Sequence, residues 1–425
     1  MKKEIMSRPM KLTHDILPAV QPHIHSWTKL YGNIFLQWHG SQPQLVIVEP
    51  ELCKEILNNK DGAYMKKKPQ GYVKKLMLNG LGTTEGKKWM KLRKVTNHAF
   101  HGASLKFMIP EMISSAEMML EGWKNHEGKE IEVYEQFRLL TSEVISRTAF
   151  GSSYLEGKNI FDNMVKLSFF LVKNSSPILF PGLGRFLKTS DEVESDKLEK
   201  AIYNSIVELV KKREELAGVS IDELVGECKT FFFAGQETTN TLLAWTVFLL
   251  AHHTDWQQEA RKEVPQLFGQ QTPDSDGLTK LKIMSMIIIE CQRLYPPVLN
   301  LVRIVKREAR VGNLIVPANM EVHIPTLALH HEPLIWGEDV QLFKPERFSE
   351  GVAKGTNRNI GAFLPFGMGP RICPGFNFAT TEAKIALSMI LQRYSFTLSP
   401  GYVHSPHDYI TVRPQHGVQV MLHPL

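Results

Sequence analysis

Phe366-Gly367-Met368-Gly369-Pro370-Arg371-Ile372-Cys373-Pro374-Gly375 is the stretch on which the reading of this chain turns. Gly367 and Gly369 allow a tight loop whose backbone can approach a flat ligand closely. Cys373 ends that loop, and an apolar-periodic run from Phe376 to Arg393 follows it as a helix. Pro374 fits the first helical position, where its missing N–H costs little. A sulfur at a helix N-terminus faces the positive end of the dipole and free N–H donors, which favours the thiolate. Arg371 adds a cation for an acidic ligand edge. A thiolate in a cramped, donor-lined loop suits axial ligation of haem iron. The competing reading is a structural loop around an inert cysteine.

The decapeptide resembles the haem-binding signature of the cytochromes P450, Phe-x-x-Gly-x-Arg-x-Cys-x-Gly, at every fixed position. The resemblance implies haem b, with Cys373 as the axial iron ligand and Phe366, Gly367, Gly369, Arg371 and Gly375 around the cofactor.

Three further motifs occur in the order of that family. Ala234-Gly235-Gln236-Glu237-Thr238-Thr239 interrupts an apolar helix with small and polar residues, which costs both helix propensity and desolvation. The small pair leaves room for a ligand beside the helix. By resemblance Glu237 and Thr238 are the catalytic proton-delivery pair. Glu290-Cys291-Gln292-Arg293 places an acid and a base three apart on one helix face. With Pro345-Glu346-Arg347-Phe348 downstream it resembles the family's buried network of Glu290, Arg293 and Arg347, a structural element. Trp89 and Arg93 lie four apart on a predicted helix, so they share a face while Lys87, Lys91 and Lys94 stay solvated. By resemblance Trp89 and Arg93 contact a haem propionate, helped by Arg371 and Arg303. Phe233, Ala234, Val298 and Leu301 are the expected substrate-facing residues.

Composition narrows the alternatives. Hydrophobic residues make up 43% and charged residues 22% of 425 residues, which excludes disorder as the main feature. Length alone suggests about three domains of ~150 residues. Yet there is no internal repeat or low-complexity linker, so one integrated domain, 1–425, fits better. Four cysteines without close spacing argue against a disulfide scaffold or a zinc site and for a reducing compartment. Cys53, Cys228 and Cys291 are read as inert, and His252-His253 and His330-His331 as surface or interface pairs that cannot easily present both rings to one metal. The net charge of +6 is localised: Lys66–Lys94 holds ten basic residues and one acid. No nucleic-acid motif accompanies it, so the expected partner is an acidic protein.

The expected fold is mainly α with a minor β subdomain, the cytochrome P450 fold. A hairpin is expected at Ile34–Trp38 and Leu45–Val48 around Gly40–Pro43, and helical periodicity dominates from about Trp89 to Leu294. Short strands follow at Val302–Val316 and Met320–Ile324, then a long loop to Gly375. A strand pair is expected at Ile410–Val412 and Val418–Leu422. Thr230–Ala251, interrupted by Gln236, Glu237 and Asn240, reads as a buried core helix rather than a membrane span.

Tyr31–Pro50, Asn79–Phe100 and Leu329–Phe348 resemble the plant microsomal clan that includes secologanin synthase and the brassinosteroid-, gibberellin- and cytokinin-modifying enzymes. That implies a monooxygenase of plant secondary or hormone metabolism acting on a lipophilic, terpenoid- or hormone-like small molecule. Electrons would come from NADPH through NADPH-cytochrome P450 reductase at the cytoplasmic face of the endoplasmic reticulum membrane. Two departures stand out: the clan's N-terminal anchor helix and hinge are not seen, and only Leu216–Ser220 connects Glu215 to Ile221 where the clan has a short helix and loop. These leave two alternatives, a non-catalytic or misassembled haem binder and a haem-thiolate isomerase or dehydratase that needs no O2. The Glu237-Thr238 pair counts against the second.

Overall fold

A computed structural model describes residues 10–77, 79–174, 189–211 and 220–425. The shortened connection therefore falls, apart from Ser220, outside the described residues, as does the Phe180–Gly184 turn. The helices that position the candidate site are α1 (Pro50–Asn58), α2 (Gly86–Ala99), α3 (Val133–Phe150), α4 (Ile221–His252), α5 (Thr254–Phe268), α6 (Ile283–Leu294) and α7 (Phe376–Arg393). Among the described residues no helix is long and apolar enough to cross a membrane.

The chain forms two compact units, and neither is contiguous in sequence. The first holds Met1–Met65, Phe100–Leu140 and Thr238–Leu425; the second holds Lys66–Ala99 and Thr141–Glu237.

In the first unit, strands β1 (Ile34–His39), β2 (Gln42–Ile47), β3 (Tyr64–Met65), β4 (Asn300–Val305) and β5 (Glu321–Pro325) form one sheet in the order β1-β2-β5-β4-β3. β1 pairs with β2 through His39 and Gln42, so the expected four-residue turn is only Gly40-Ser41. Gly40 has φ +61, a left-handed conformation that favours glycine. The expected C-terminal strand pair is not formed. Val412–Pro414 pairs with Pro406–Asp408, and Gln419–Pro424 pairs with Tyr394–Leu398 and with Glu130–Glu132. The apolar alternation marked these residues as strands but could not choose their partners, one of which is adjacent in sequence and one far away. Short helices also punctuate the expected loop before Gly375, at Thr326–His330 and Pro333–Trp336.

The core of this unit gathers around α4. Trp245 is fully buried and stacks on Tyr295 with ring centroids 4.3 Å apart, and its indole N–H donates to the Val412 carbonyl at 2.6 Å. In the second unit, Phe232 of α4 lies between Phe150, stacked at 4.1 Å, and Phe161, edge-on at 4.8 Å. A Cβ on Gly80 would sit 1.8 Å from the Thr230 hydroxyl, so backbone packs directly on α4 there.

His330 and His331 are not surface residues. Both are buried, and both rings are committed: Leu364 N–H donates to His330 Nε2 at 2.8 Å, and His331 Nε2 lies 2.9 Å from the Leu294 carbonyl. Polar residue type suggested exposure, but each ring closes a backbone hydrogen bond that the core would otherwise leave open. Burial pushes their pKa values down from 6.5 to about 3, and that of His323 to about 4. Below pH 6.5 the unfolded chain therefore takes up protons that the folded chain excludes. This contribution to stability is full above that pH and is lost as pH falls toward the folded values. The loss approaches ~1.4 kcal/mol per pH unit per histidine. Urea midpoints should be lower at about pH 5 than at about pH 7, and His331→Gln should make the dependence shallower. An unchanged slope in that variant would contradict the assignment.

Candidate active site

Cys373 stands in a short loop immediately before α7. Its N–H donates to the Phe366 carbonyl at 2.9 Å, closing the loop, and Phe366 packs edge-on against Phe376 at 4.8 Å. Gly375 caps α7, with Ala379 N–H returning to its carbonyl at 2.9 Å. Pro374 thus precedes the cap and does not occupy the first helical position, because the chain needs one further residue to turn into the helix. Of the four cysteines, Cys373 alone is not buried. Burial raises the thiol pKa of Cys53 and pushes that of Cys291 up to about 12, which leaves both as neutral, inert thiols.

The glycines of the loop divide by cause. Gly367 and Gly369 have φ +71 and +72. A Cβ on Gly369 would lie 2.2 Å from the Leu57 carbonyl of α1, so this glycine lets two stretches of backbone touch. A Cβ on Gly367 would meet nothing within 4 Å, and one on Gly375 would meet only the Cys373 sulfur at 3.9 Å. Gly375 has φ −86, which any residue adopts. No protein atom requires Gly375 to be small, and the space on the sulfur side of the loop is open to it.

Behind the loop lies the ion pair of α6. Glu290 and Arg293 are both fully buried and joined by two hydrogen bonds, Nε to Oε2 and Nη2 to Oε1, each 2.7 Å. Arg293 also donates to the carbonyls of Val340 at 2.8 Å, His330 at 3.1 Å and Leu342 at 3.3 Å. All five of its N–H groups are used. Glu290 accepts in addition from Lys344 N–H at 3.0 Å, and Arg347 lies 3.8 Å from it while donating to the Trp336 and Asp339 carbonyls. The structure thus brings Glu290, Arg293 and Arg347 together.

Along α4, Phe231, Ala234, Gly235 and Thr238 form an accessible stripe at helical spacing, whereas Phe232, Gln236, Glu237, Thr239 and Asn240 are buried. Gly235 does not simply leave space for a ligand. Its missing Cβ admits Ile145 of α3, whose Cδ1 would stand 2.9 Å from it. Ala234 is the exposed small residue. Thr141 of α3 donates to the Gln236 carbonyl at 3.1 Å, fixing that side of the helix. Both side-chain polar atoms of Asn240 are buried with no partner among the described residues.

In the second unit, Trp89 and Arg93 are half-buried on α2, while Lys87, Lys91 and Lys94 are exposed. Lys88 and Lys91 each lie 3.7 Å from Glu223. In the first unit, Arg303 is buried on β4 and donates to the Val302 carbonyl at 3.0 Å, and Val298 and Leu301 are half-buried at the start of that strand.

A family model for cytochrome P450 matches residues 18–217 and 191–421. The chain belongs to the cytochrome P450 family. It is similar to Cytochrome P450 CYP749A22 of Panax ginseng, 54% identical over 454 aligned positions covering 100% of this chain and 86% of the relative. It is 40% identical to Cytochrome P450 716A67 of Medicago truncatula, covering 99% and 87%, and 39% identical to 7-deoxyloganic acid hydroxylase of Catharanthus roseus, covering 100% and 88%. The fold is the cytochrome P450 fold, mainly α with a small β portion, and the protein is a haem-dependent monooxygenase. Haem is the cofactor of this family, with NADPH acting through a reductase. The residues present fit it, since the one cysteine of the four that is not buried stands in a closed loop immediately before α7, with open space at Gly375 beside its sulfur.

Two residues that shape the site are not legible as such in the sequence. His330 holds the backbone at Leu364, two residues before the cysteine loop, and its sequence neighbourhood gives no sign of burial. Glu382, on α7, is buried, and burial raises its carboxyl pKa well above the ordinary range. An acid inside the apolar run Ala379–Leu391 was the available signal.

The glycines make a divided prediction. Gly369→Ala should lower haem incorporation by disturbing the loop, with altered near-ultraviolet circular dichroism. Gly375→Ala should keep the apoprotein fold and weaken haem binding alone, and an equal effect of both on the fold would refute the division. Arg293→Lys keeps the charge but leaves only three donors for five acceptor positions. It should cost about 3–5 kcal/mol in urea unfolding.

Proposed function

We propose that this chain hydroxylates a lipophilic, terpenoid-like small molecule, with Cys373 as the axial thiolate and Glu237 and Thr238 as the proton-delivery pair. The observation that carries the reading is the accessible Cys373 thiol in its closed loop before α7. When bound, the haem supplies the redox chemistry by which O2 is split, one atom entering a substrate C–H bond and the other leaving as water. The protein does the rest. Phe366, Gly367, Gly369 and Gly375 shape the loop against the cofactor's flat face. Trp89, Arg93, Arg371 and Arg303 neutralise its propionates. Glu290, Arg293 and Arg347 keep the loop's supporting chain in place without touching the reaction. The Thr238 hydroxyl holds a water, and the Glu237 carboxyl passes protons to it. Phe233, Ala234, Val298 and Leu301 contact the substrate.

The stripe Phe231-Ala234-Gly235-Thr238 supports the distal assignment, because it leaves α4 accessible where Thr238 is placed. The relative named 7-deoxyloganic acid hydroxylase supports a hydroxylation of a small molecule. NADPH-cytochrome P450 reductase is the partner, docking on the basic stretch that includes α2. Docking at the cytoplasmic face of the endoplasmic reticulum membrane is supported by exposed apolar side chains, Leu30, Tyr31, Leu36 and Trp38, close together in sequence. The CYP749A22 alignment runs over 454 positions against 425 residues here, so that relative carries residues with no counterpart in this chain. This supports an internal shortening of the chain, which we place in the connection before Ile221.

Cys373→Ala should abolish the red-shifted Soret band of the reduced, carbon monoxide-treated protein. Glu237→Gln and Thr238→Ala should keep that band and lower NADPH-coupled product formation about 100-fold. Product formed at the wild-type rate by both variants would sink the proton-delivery assignment. A wild-type chain without the band would sink the thiolate.

A further inference from the structure

His14, His252 and His253 converge in the first unit, outside every residue assigned to the haem. One ring nitrogen of each lies within 4.8 Å of the other two, and among the described residues this is the one such group of three or more. His14 Nε2 and His253 Nε2 are 2.9 Å apart across 239 positions of sequence. We propose that these three imidazoles form a binding site for a divalent transition-metal ion of the zinc type.

The geometry runs against the expectation that adjacent histidines cannot share a metal. His252 is the last residue of α4, and His253 leaves the helix with φ −112 and ψ 74 before α5 begins. That bend swings one ring back beside the other, with centroids 4.7 Å apart and planes at 70°. His14 arrives from the N-terminal segment and completes the triangle, its centroid 5.2 Å from His253 and 6.0 Å from His252. Zinc–nitrogen bonds of ~2.0–2.1 Å on a tetrahedral centre set ligand nitrogens roughly 3.3 Å apart. The His14–His253 contact therefore needs to open by only a few tenths of an ångström, and the third ring to close in.

The surroundings suit an ion. The Tyr295 hydroxyl is 2.9 Å from His14 Nδ1, the far side of that ring. With a metal on Nε2, Nδ1 carries the proton and donates to the Tyr295 oxygen, the arrangement that orients a ligating histidine. Tyr295 is itself fully buried and held by its stack on Trp245. His14 is buried, His253 half-buried and His252 exposed, which leaves a path from solvent and a fourth coordination position on the open side. Three neutral nitrogen donors and no carboxylate select late first-row ions over magnesium or calcium. The bound ion would cross-link the N-terminal segment to the α4–α5 corner and stabilise the folded chain in proportion to its occupancy.

The test uses the haem-loaded full chain, stripped with a chelator and dialysed against zinc. Elemental analysis should find one zinc per chain, and the thermal midpoint should rise with zinc and return when chelator is added. His252→Gln changes an exposed ring at a helix end, so the variant should keep its carbon monoxide band while binding zinc at least ~10-fold more weakly. His14→Gln should do the same, and His416→Gln, an exposed histidine elsewhere, should bind like wild type. No bound zinc in the wild type would overturn the proposal and leave the His14–His253 contact as an ordinary imidazole hydrogen bond. Undiminished binding in His252→Gln and His14→Gln would overturn it equally.

Discussion

A guanidinium with no access to water organises the part of the molecule that carries the cysteine. Removing Arg293 and Glu290 from solvent costs several kcal/mol for each ion, and only a saturated set of partners offsets that. Arg293 finds those partners in Glu290 and in the carbonyls of His330, Val340 and Leu342, and its guanidinium lies 5.3 Å over the Trp336 ring. Each carbonyl belongs to the chain between β5 and the cysteine loop, which is built of short helices and turns. The helix α6 supplies a rigid base, and the side chain supplies a fixed fork of donors. His330 extends the same device: its carbonyl serves Arg293 while its ring receives the N–H of Leu364. From there the Cys373–Phe366 hydrogen bond and the Gly369–Leu57 contact help define where the sulfur stands.

Helix α4 answers a different requirement. A 32-residue helix, about 48 Å long, is largely buried yet leaves a stripe accessible along part of its length. It does this by dividing its faces. The stripe through Ala234 and Thr238 is left accessible, and the flanking polar residues Gln236, Glu237, Thr239 and Asn240 are buried. Gly235 belongs to both arrangements, because its absent side chain lets Ile145 press against α4 while Ala234 keeps the neighbouring surface low. Small residues in this helix therefore serve helix packing as well as ligand space.

What the sequence revealed, and what it hid, follows from the range of the interactions involved. The cysteine loop was legible because its constraints are local: a thiol, a cap and glycines within ten residues dictate one another. The ion pair was legible for the same reason, with Glu290 and Arg293 one turn apart. Helix α7 begins and ends where its apolar period does, at Phe376 and Arg393. The remainder depends on chain that meets only after folding. Gly369 is explained by Leu57, Gly235 by Ile145, and the buried state of His330 by Leu364. Val412–Pro414 and Gln419–Pro424 carry strand-like alternation, but the first closes on its near neighbour Pro406–Asp408 while the second also takes Glu130–Glu132, hundreds of residues away, as a partner. Residue type misled most at the histidines, since a polar ring that closes a backbone hydrogen bond belongs in a core as properly as leucine does.

The basic stretch shows how folding changes the meaning of a charge count. Its ten cations against one acid suggest a strong field, but several are answered within the second unit. Lys75 donates to Asp196 and Ser195, and Lys88 and Lys91 stand beside Glu223. Pairs of this kind, partly exposed, add little stability and reduce the field felt at a distance. What remains is geometric. On α2, Lys87, Lys91 and Lys94 fall within one turn-face, whereas Trp89 and Arg93 lie on the opposite side at helical spacing and are half-buried. One helix therefore separates two kinds of cation by rotation alone. The lysine side is solvated and suited to a diffusing acidic partner. The tryptophan–arginine side is half-buried. A net charge cannot express that division.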